Sequence, residues 1–233
     1  MPNLLDTASQ TVTRESCEPE TASTAGVIRH LAHELRQPLS AIESIVFYLD
    51  MILPASASNA REQLARLQDL VDQSDWIVSN ALYFVQTSPP APERVDVLEL
   101  LTEASALCGD HAPQVEVDRE HPLPAVLVDR AQAEHLMRSV FVFFVQAGAI
   151  GPVFFNTLMD DGSELVVIDA SARVCICSQA KLDSLFEPFR PGLPAGLGLC
   201  MASSRRIAEA HGGWIRTVAG ENRVTIQIAL PPA

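Results

Sequence analysis

A chain of 233 residues with 48% hydrophobic content can bury a real core, as one large domain or two small ones. Its net charge of −13 is spread along the chain, which excludes the clustered basic patches that hold nucleic-acid backbones or anionic membrane surfaces. No apolar run reaches the roughly 18 residues a membrane span needs, and the acidic N-terminus lacks a signal pattern. Five cysteines, an odd number, fit a reducing compartment, so a cytoplasmic location is expected. Cys175 and Cys177 form a C-x-C pair with no second ligand pair at suitable spacing. They read as two small side chains on a strand or turn, and no metal is expected.

Residues 1–22, rich in Ser, Thr, Glu and Gln, read as a disordered leader. From about 25 to 54 the apolar positions are Val27, Ile28, Leu31, Leu35, Leu39, Ile42, Val46, Leu49 and Leu53. Steps of three and four predict an amphipathic helix. Inside it stands His33-Glu34-Leu35-Arg36-Gln37-Pro38-Leu39. Pro38 cannot donate an N–H and crowds the preceding turn, so it should bend the helix just past an accessible His33. Pro54 to Ser58 make a break, with Ser58 or Asn59 as the cap of a second helix over about 59–86. Two long helices joined by a short loop make an antiparallel hairpin whose stripes a single copy cannot bury. Pairing with a second copy as a four-helix bundle is the expected solution; packing on the C-terminal half is the alternative.

Thr87-Ser88-Pro89-Pro90-Ala91-Pro92 reads as a linker. Beyond it the pattern predicts a helix over 97–107, short strands at 115–117 and 125–128, and an apolar helix over 131–147. A hairpin follows over 153–159 and 164–169 with Asp160-Asp161-Gly162 as its turn. A short irregular piece at 182–189, a helix over 196–211 and two closing strands at 214–218 and 223–230 complete a mixed sheet with helices on one face.

The segment from His33 to Leu39, with Ala41-Ile42, resembles the phosphoacceptor helix of sensor histidine kinases. The second half resembles the ATP-binding domain of that family. It has Leu185-Phe186-Glu187-Pro188-Phe189, then Gly196-Leu197-Gly198-Leu199, then Ala210-His211-Gly212-Gly213. The resemblance implies a dimerisation and histidine-phosphotransfer hairpin over 23–88 and a Bergerat-type α/β sandwich over 93–233. It implies that His33 accepts phosphate and that Glu34 holds one imidazole nitrogen protonated, leaving the other free as nucleophile. Gln37 stands where the family positions a water for dephosphorylation. Gly196 and Gly198 would let backbone approach phosphates at a helix N-terminus, and Asp169 would bind the adenine amino group.

The departures are specific. The two Asn positions of the family's nucleotide helix fall on Ser139 and Phe143, and phenylalanine cannot ligate magnesium, which demands oxygen. The nearest spare asparagine, Asn156, lies on a predicted strand. The family's D-x-G-x-G strand end reads Asp169-Ala170-Ser171-Ala172-Arg173, and Pro194 replaces a glycine of the lid. Impaired use of ATP and Mg²⁺ is the expectation. The resemblance then implies a homodimeric phosphotransferase exchanging phosphate between His33 and response-regulator aspartates. An active soluble histidine kinase and a non-catalytic interaction module are the alternatives.

Overall fold

Two long helices lead into a layered α/β half. In the computed structural model the described residues are 24–85, 89–108, 112–118, 123–159, 164–174, 182–190, 193–194 and 196–233. The leader at 1–22, Thr87-Ser88 of the linker, the turn at Asp160-Asp161-Gly162 and the Cys175/Cys177 pair lie outside them.

Helix α1 (Thr24–Ile52) runs unbroken through Pro38, and α2 (Ser58–Val85) returns beside it. Ser58 is already helical, and the Ala57 carbonyl accepts the Arg61 N–H. Ala57 therefore occupies the cap position that the sequence assigned to Ser58 or Asn59. Two arginines stitch the hairpin. Arg36 donates to Asp75 at 2.9 Å and to Ser79 at 2.8 Å. Arg61 donates to Asp50 at 2.7 Å and to the Leu53 carbonyl at 2.9 Å, closing the loop end. Only Ala32 and Val46 of α1 are buried. Leu31, Leu35, Ile45, Phe47, Tyr48, Met51 and Ile52 all face solvent.

In the second half, β1 (Glu93–Asp96) pairs antiparallel with β3 (Ala125–Val128) as a two-stranded sheet. The larger sheet is β2 (Val115–Val117), β4 (Ile150–Met159), β5 (Val166–Arg173), β7 (Arg223–Leu230) and β6 (Trp214–Ala219), in that spatial order. Only the β2–β4 pair is parallel. Helices α3 (Val97–Ala106), α4 (Arg130–Gln146) and α5 (Leu197–Ala210) cover one face. Aspartates cap two of them: Asp96 accepts from the Leu98 and Glu99 N–H groups, and Asp129 from Gln132. Phe141, Phe144, Phe155, Ile168, Met201 and Ile226 fill the core between the layers. Among the described residues no helix is long and apolar enough to cross a membrane.

Strand β5 is longer than the sequence reading allowed. It continues past Asp169 to Arg173, paired residue by residue with β7 from Val166↔Leu230 to Arg173↔Arg223. The reason is a period of two that persists: Ile168, Ala170 and Ala172 turn into the core, while Asp169, Ser171 and Arg173 turn out.

The last turns of α2 dock on α5 and reach α4 through Asn80 and Tyr83. The hairpin thus both packs on the α/β half at this end and leaves the α1 stripe uncovered.

Candidate functional site

His33 is exposed on α1. The Gln37 amide nitrogen lies 3.3 Å from His33 Nε2. This follows from the four-residue spacing, which stacks the two side chains on one helix face. An amide N–H donates, so Nε2 serves as acceptor in this arrangement and the ring proton belongs on Nδ1. Glu34 is exposed too, but no hydrogen bond joins it to His33. Consecutive helix residues point about 100° apart, so the partner at i+1 does not reach the ring while the one at i+4 does. Arg36, one turn on, is turned inward to Asp75 and Ser79.

The residues expected at a nucleotide are dispersed or built into the core. Phe143 is 3% exposed and packs edge-on against Phe144, with ring centroids 5.2 Å apart. Ser139 is fully buried, and its hydroxyl donates to the His135 carbonyl at 2.8 Å. These positions hold no carboxamide or carboxylate oxygen. They do not fit the magnesium ion that the family's nucleotide helix holds. Asp169 does not lie at the strand end that its motif position led one to expect. Asp169 stands mid-strand on the sheet face away from the helices, where its carboxylate accepts from Gln227 at 2.9 Å. Asn156 pairs directly across from it on β4 and is exposed on the same outer face.

Gly196 and Gly198 open α5, with Gly196 at φ +82°. A Cβ on Gly196 would lie 2.9 Å from Ile77 of α2, and one on Gly198 would lie 3.1 Å from the Glu187 carbonyl oxygen. Here the glycines admit protein neighbours: the hairpin at Gly196, and the Phe186-Glu187-Pro188 segment at Gly198. The Ala-His-Gly-Gly turn is likewise a joint. His211 Nδ1 donates to the Ile207 carbonyl at 2.8 Å, and Nε2 accepts the Asp129 N–H at 2.9 Å, tying the end of α5 to the cap of α4. A side chain on Gly213 would collide with the Ala229 carbonyl.

One polar cluster went unread in the sequence. Asn80, His135 and Ser203, from α2, α4 and α5, meet in the seam between hairpin and α/β half. Their only signal was a polar residue on an otherwise apolar helix face, which does not reveal a partner 55 or 123 positions away.

An exposed histidine on a two-helix hairpin, joined to a five-stranded mixed sheet under three helices, is an architecture shared with solved histidine kinase structures. The solved full-length ShkA, in complex with AMPPNP, superposes with a TM-score of 0.66 at 21% identity, covering 90% of this chain and 47% of that one. Among curated proteins, the sensor histidine kinase ZraS of Escherichia coli K12 is 25% identical over 198 residues, 83% of this chain and 42% of that protein. The sensory histidine kinase/phosphatase NtrB of Rhodobacter capsulatus is 27% identical over 229 residues, 91% of this chain and 63% of that protein. No family model matches. In sequence and in fold the chain is thus similar to sensor histidine kinases. It spans about two fifths of ZraS and under two thirds of NtrB.

Proposed function

We propose that the chain is a two-component signalling protein that carries phosphate on His33 and exchanges it with response-regulator aspartates, with impaired use of ATP. The observation that carries this reading is a contrast. His33 is exposed with the Gln37 amide beside it, while Phe143, at the expected magnesium position, is buried in an aromatic core. In the exchange, an imidazole nitrogen attacks the phosphorus of an aspartyl phosphate. The N–P bond forms as the O–P bond breaks, and the carboxylate leaves; the reverse step recharges a regulator. Gln37 can orient the nucleophilic nitrogen or a water. Glu34 does not reach the ring in this arrangement, so Glu34 in a changed rotamer or solvent takes up the imidazole proton. Gly196, Gly198 and Asp169 take no part in this reading. The uncovered α1 stripe supports a homodimer joined as a four-helix bundle, with the regulator's receiver domain docking beside His33.

The test is phosphate transfer from a regulator charged with acetyl phosphate or by a kinase. Wild type becomes labelled and His33→Ala does not. No labelling of wild type by any cognate regulator sinks the reading. The names of the curated relatives favour a second reading, an ATP-using histidine kinase. Incubation with radiolabelled ATP and Mg²⁺ separates the two, since label on His33 would establish the kinase.

A further inference from the structure

The seam between α2 and the α/β half is built around one buried imidazole. His135 is 6% exposed and Asn80 and Ser203 are fully buried. Asn80 Nδ2 donates to the Trp76 carbonyl at 2.8 Å, which fixes the orientation of the amide. Its Oδ1 then accepts from His135 Nε2 at 2.9 Å and from the Ser203 hydroxyl at 3.1 Å. Two rings from α2 flank the imidazole, Trp76 with its centroid at 4.5 Å and Tyr83 at 4.0 Å. Arg138 lies over the Trp76 ring, 4.3 Å from its centroid. Farther along, Arg206 of α5 donates to the Phe84 carbonyl, and Ile77 packs on Gly196.

Every partner of His135 in this seam except its own helix comes from α2 or shares the α2 amide. Such a site holds a neutral imidazole well: Nε2–H is satisfied, and the rings exclude water. A second proton places a cation among two aromatic rings and a neutral amide, beside the guanidinium of Arg138. Of the charged and titratable groups on α2, α4 and α5, Tyr83 of α2 lies against the imidazole and Arg138 of α4 acts on it through its charge. Arg138 is the one whose charge is felt at His135, and it opposes protonation.

We propose that Asn80, His135 and Ser203 form a proton-sensitive latch: the neutral imidazole holds the last turns of α2 on α4 and α5, and its protonation releases the hairpin. This holds whether His33 is charged by a regulator or by ATP. Burial, with a smaller contribution from Arg138, lowers the docked imidazole from 6.5 to about 3. Docking therefore keeps its full strength above pH 6.5 and weakens as pH falls below it. Between pH 7 and pH 5 the docking constant drops by about 25-fold.

Trp214→Phe leaves Trp76 as the sole tryptophan, and its emission reports the seam. The full-length variant should show blue emission at pH 7.5 and a red shift between pH 6.5 and 4, with far-UV circular dichroism unchanged. Adding His135→Phe, which keeps the ring but not the proton, should abolish the shift. Adding Asn80→Asp instead, which gives the imidazolium a carboxylate, should move the shift to lower pH. If His135→Phe fails to dock at pH 7.5, the Asn80→Asp arm decides. Three outcomes overturn the latch: flat emission across the range, a shift that neither variant alters, or a shift that coincides with loss of secondary structure.

Discussion

Phe143 shows how a residue at an expected ligand position can be wholly structural. A side chain at an expected ligand position is now 3% exposed, among Phe141, Phe144 and the rest of the aromatic core. Placing asparagine there should therefore damage the fold before it supplies any chemistry. Phe143→Asn removes a packed ring and buries an amide, at a cost of about 3 kcal/mol or more. Denaturant unfolding should register that loss. Calorimetry with a non-hydrolysable ATP analogue and Mg²⁺ should show no gain in binding; a magnesium-dependent gain would refute this view of the helix. Cys200 makes the same point about burial. It is fully buried and its thiol is pushed up to about 12, so it is packing rather than a nucleophile.

At the scale of elements, α1 is the unfinished one. Its buried residues, Ala32 and Val46, face α2, but Ile45, Phe47, Tyr48, Met51 and Ile52 cover its distal end and lie open. Phe47 is 71% exposed. A patch of this kind marks an interaction site, and a second copy of the hairpin supplies a matching stripe by symmetry. Phe47→Glu should convert a dimer into a monomer, measured by light scattering coupled to gel filtration, while circular dichroism stays unchanged. A wild-type chain that elutes as a monomer at micromolar concentration would remove the four-helix bundle. Strand β5 also belongs to this scale. Its alternation carries Asp169 to the outer face, so pairing with β7, not the identity of the residue, decides where that carboxylate points.

For the whole molecule, the seam couples the two halves and makes stability depend on pH. His135 is lowered from 6.5 to about 3 in the folded chain, chiefly by burial. The folded state then binds fewer protons than the unfolded one below pH 6.5. The stability this confers is complete above pH 6.5 and is lost as pH falls toward 3. Between pH 7 and pH 5 the loss from this group is about 2 kcal/mol. Unfolding free energies from urea titrations at both values should differ by this amount in wild type, and His135→Phe should flatten the difference. An equal slope in the variant would assign the pH dependence to other groups.

The order of helices and strands apart from β1, the hairpin and the exposed histidine were legible in the sequence, whereas the four residues of β1 follow a proline-rich linker and carry too short a pattern to read. Periods of 3.6 and 2 and the turn residues are local signals, and the stretch from His33 to Leu39 is contiguous. The sequence also showed that Phe143 cannot hold magnesium, because that follows from the residue type alone. Tertiary structure decided the rest. The contact of Gln37 rather than Glu34 with His33 is an exception, since it is local and follows from helix geometry, which pairs i with i+4. Tertiary structure extended β5 and turned Asp169 outward, since the neighbouring strand supplies the hydrogen bonds. It set Ile77 on Gly196 and gathered Asn80, His135 and Ser203 from three helices. Contacts between residues far apart in the chain leave no periodic trace, and burial, which silences His135 and Cys200 as acids and bases, exists only once the layers have packed.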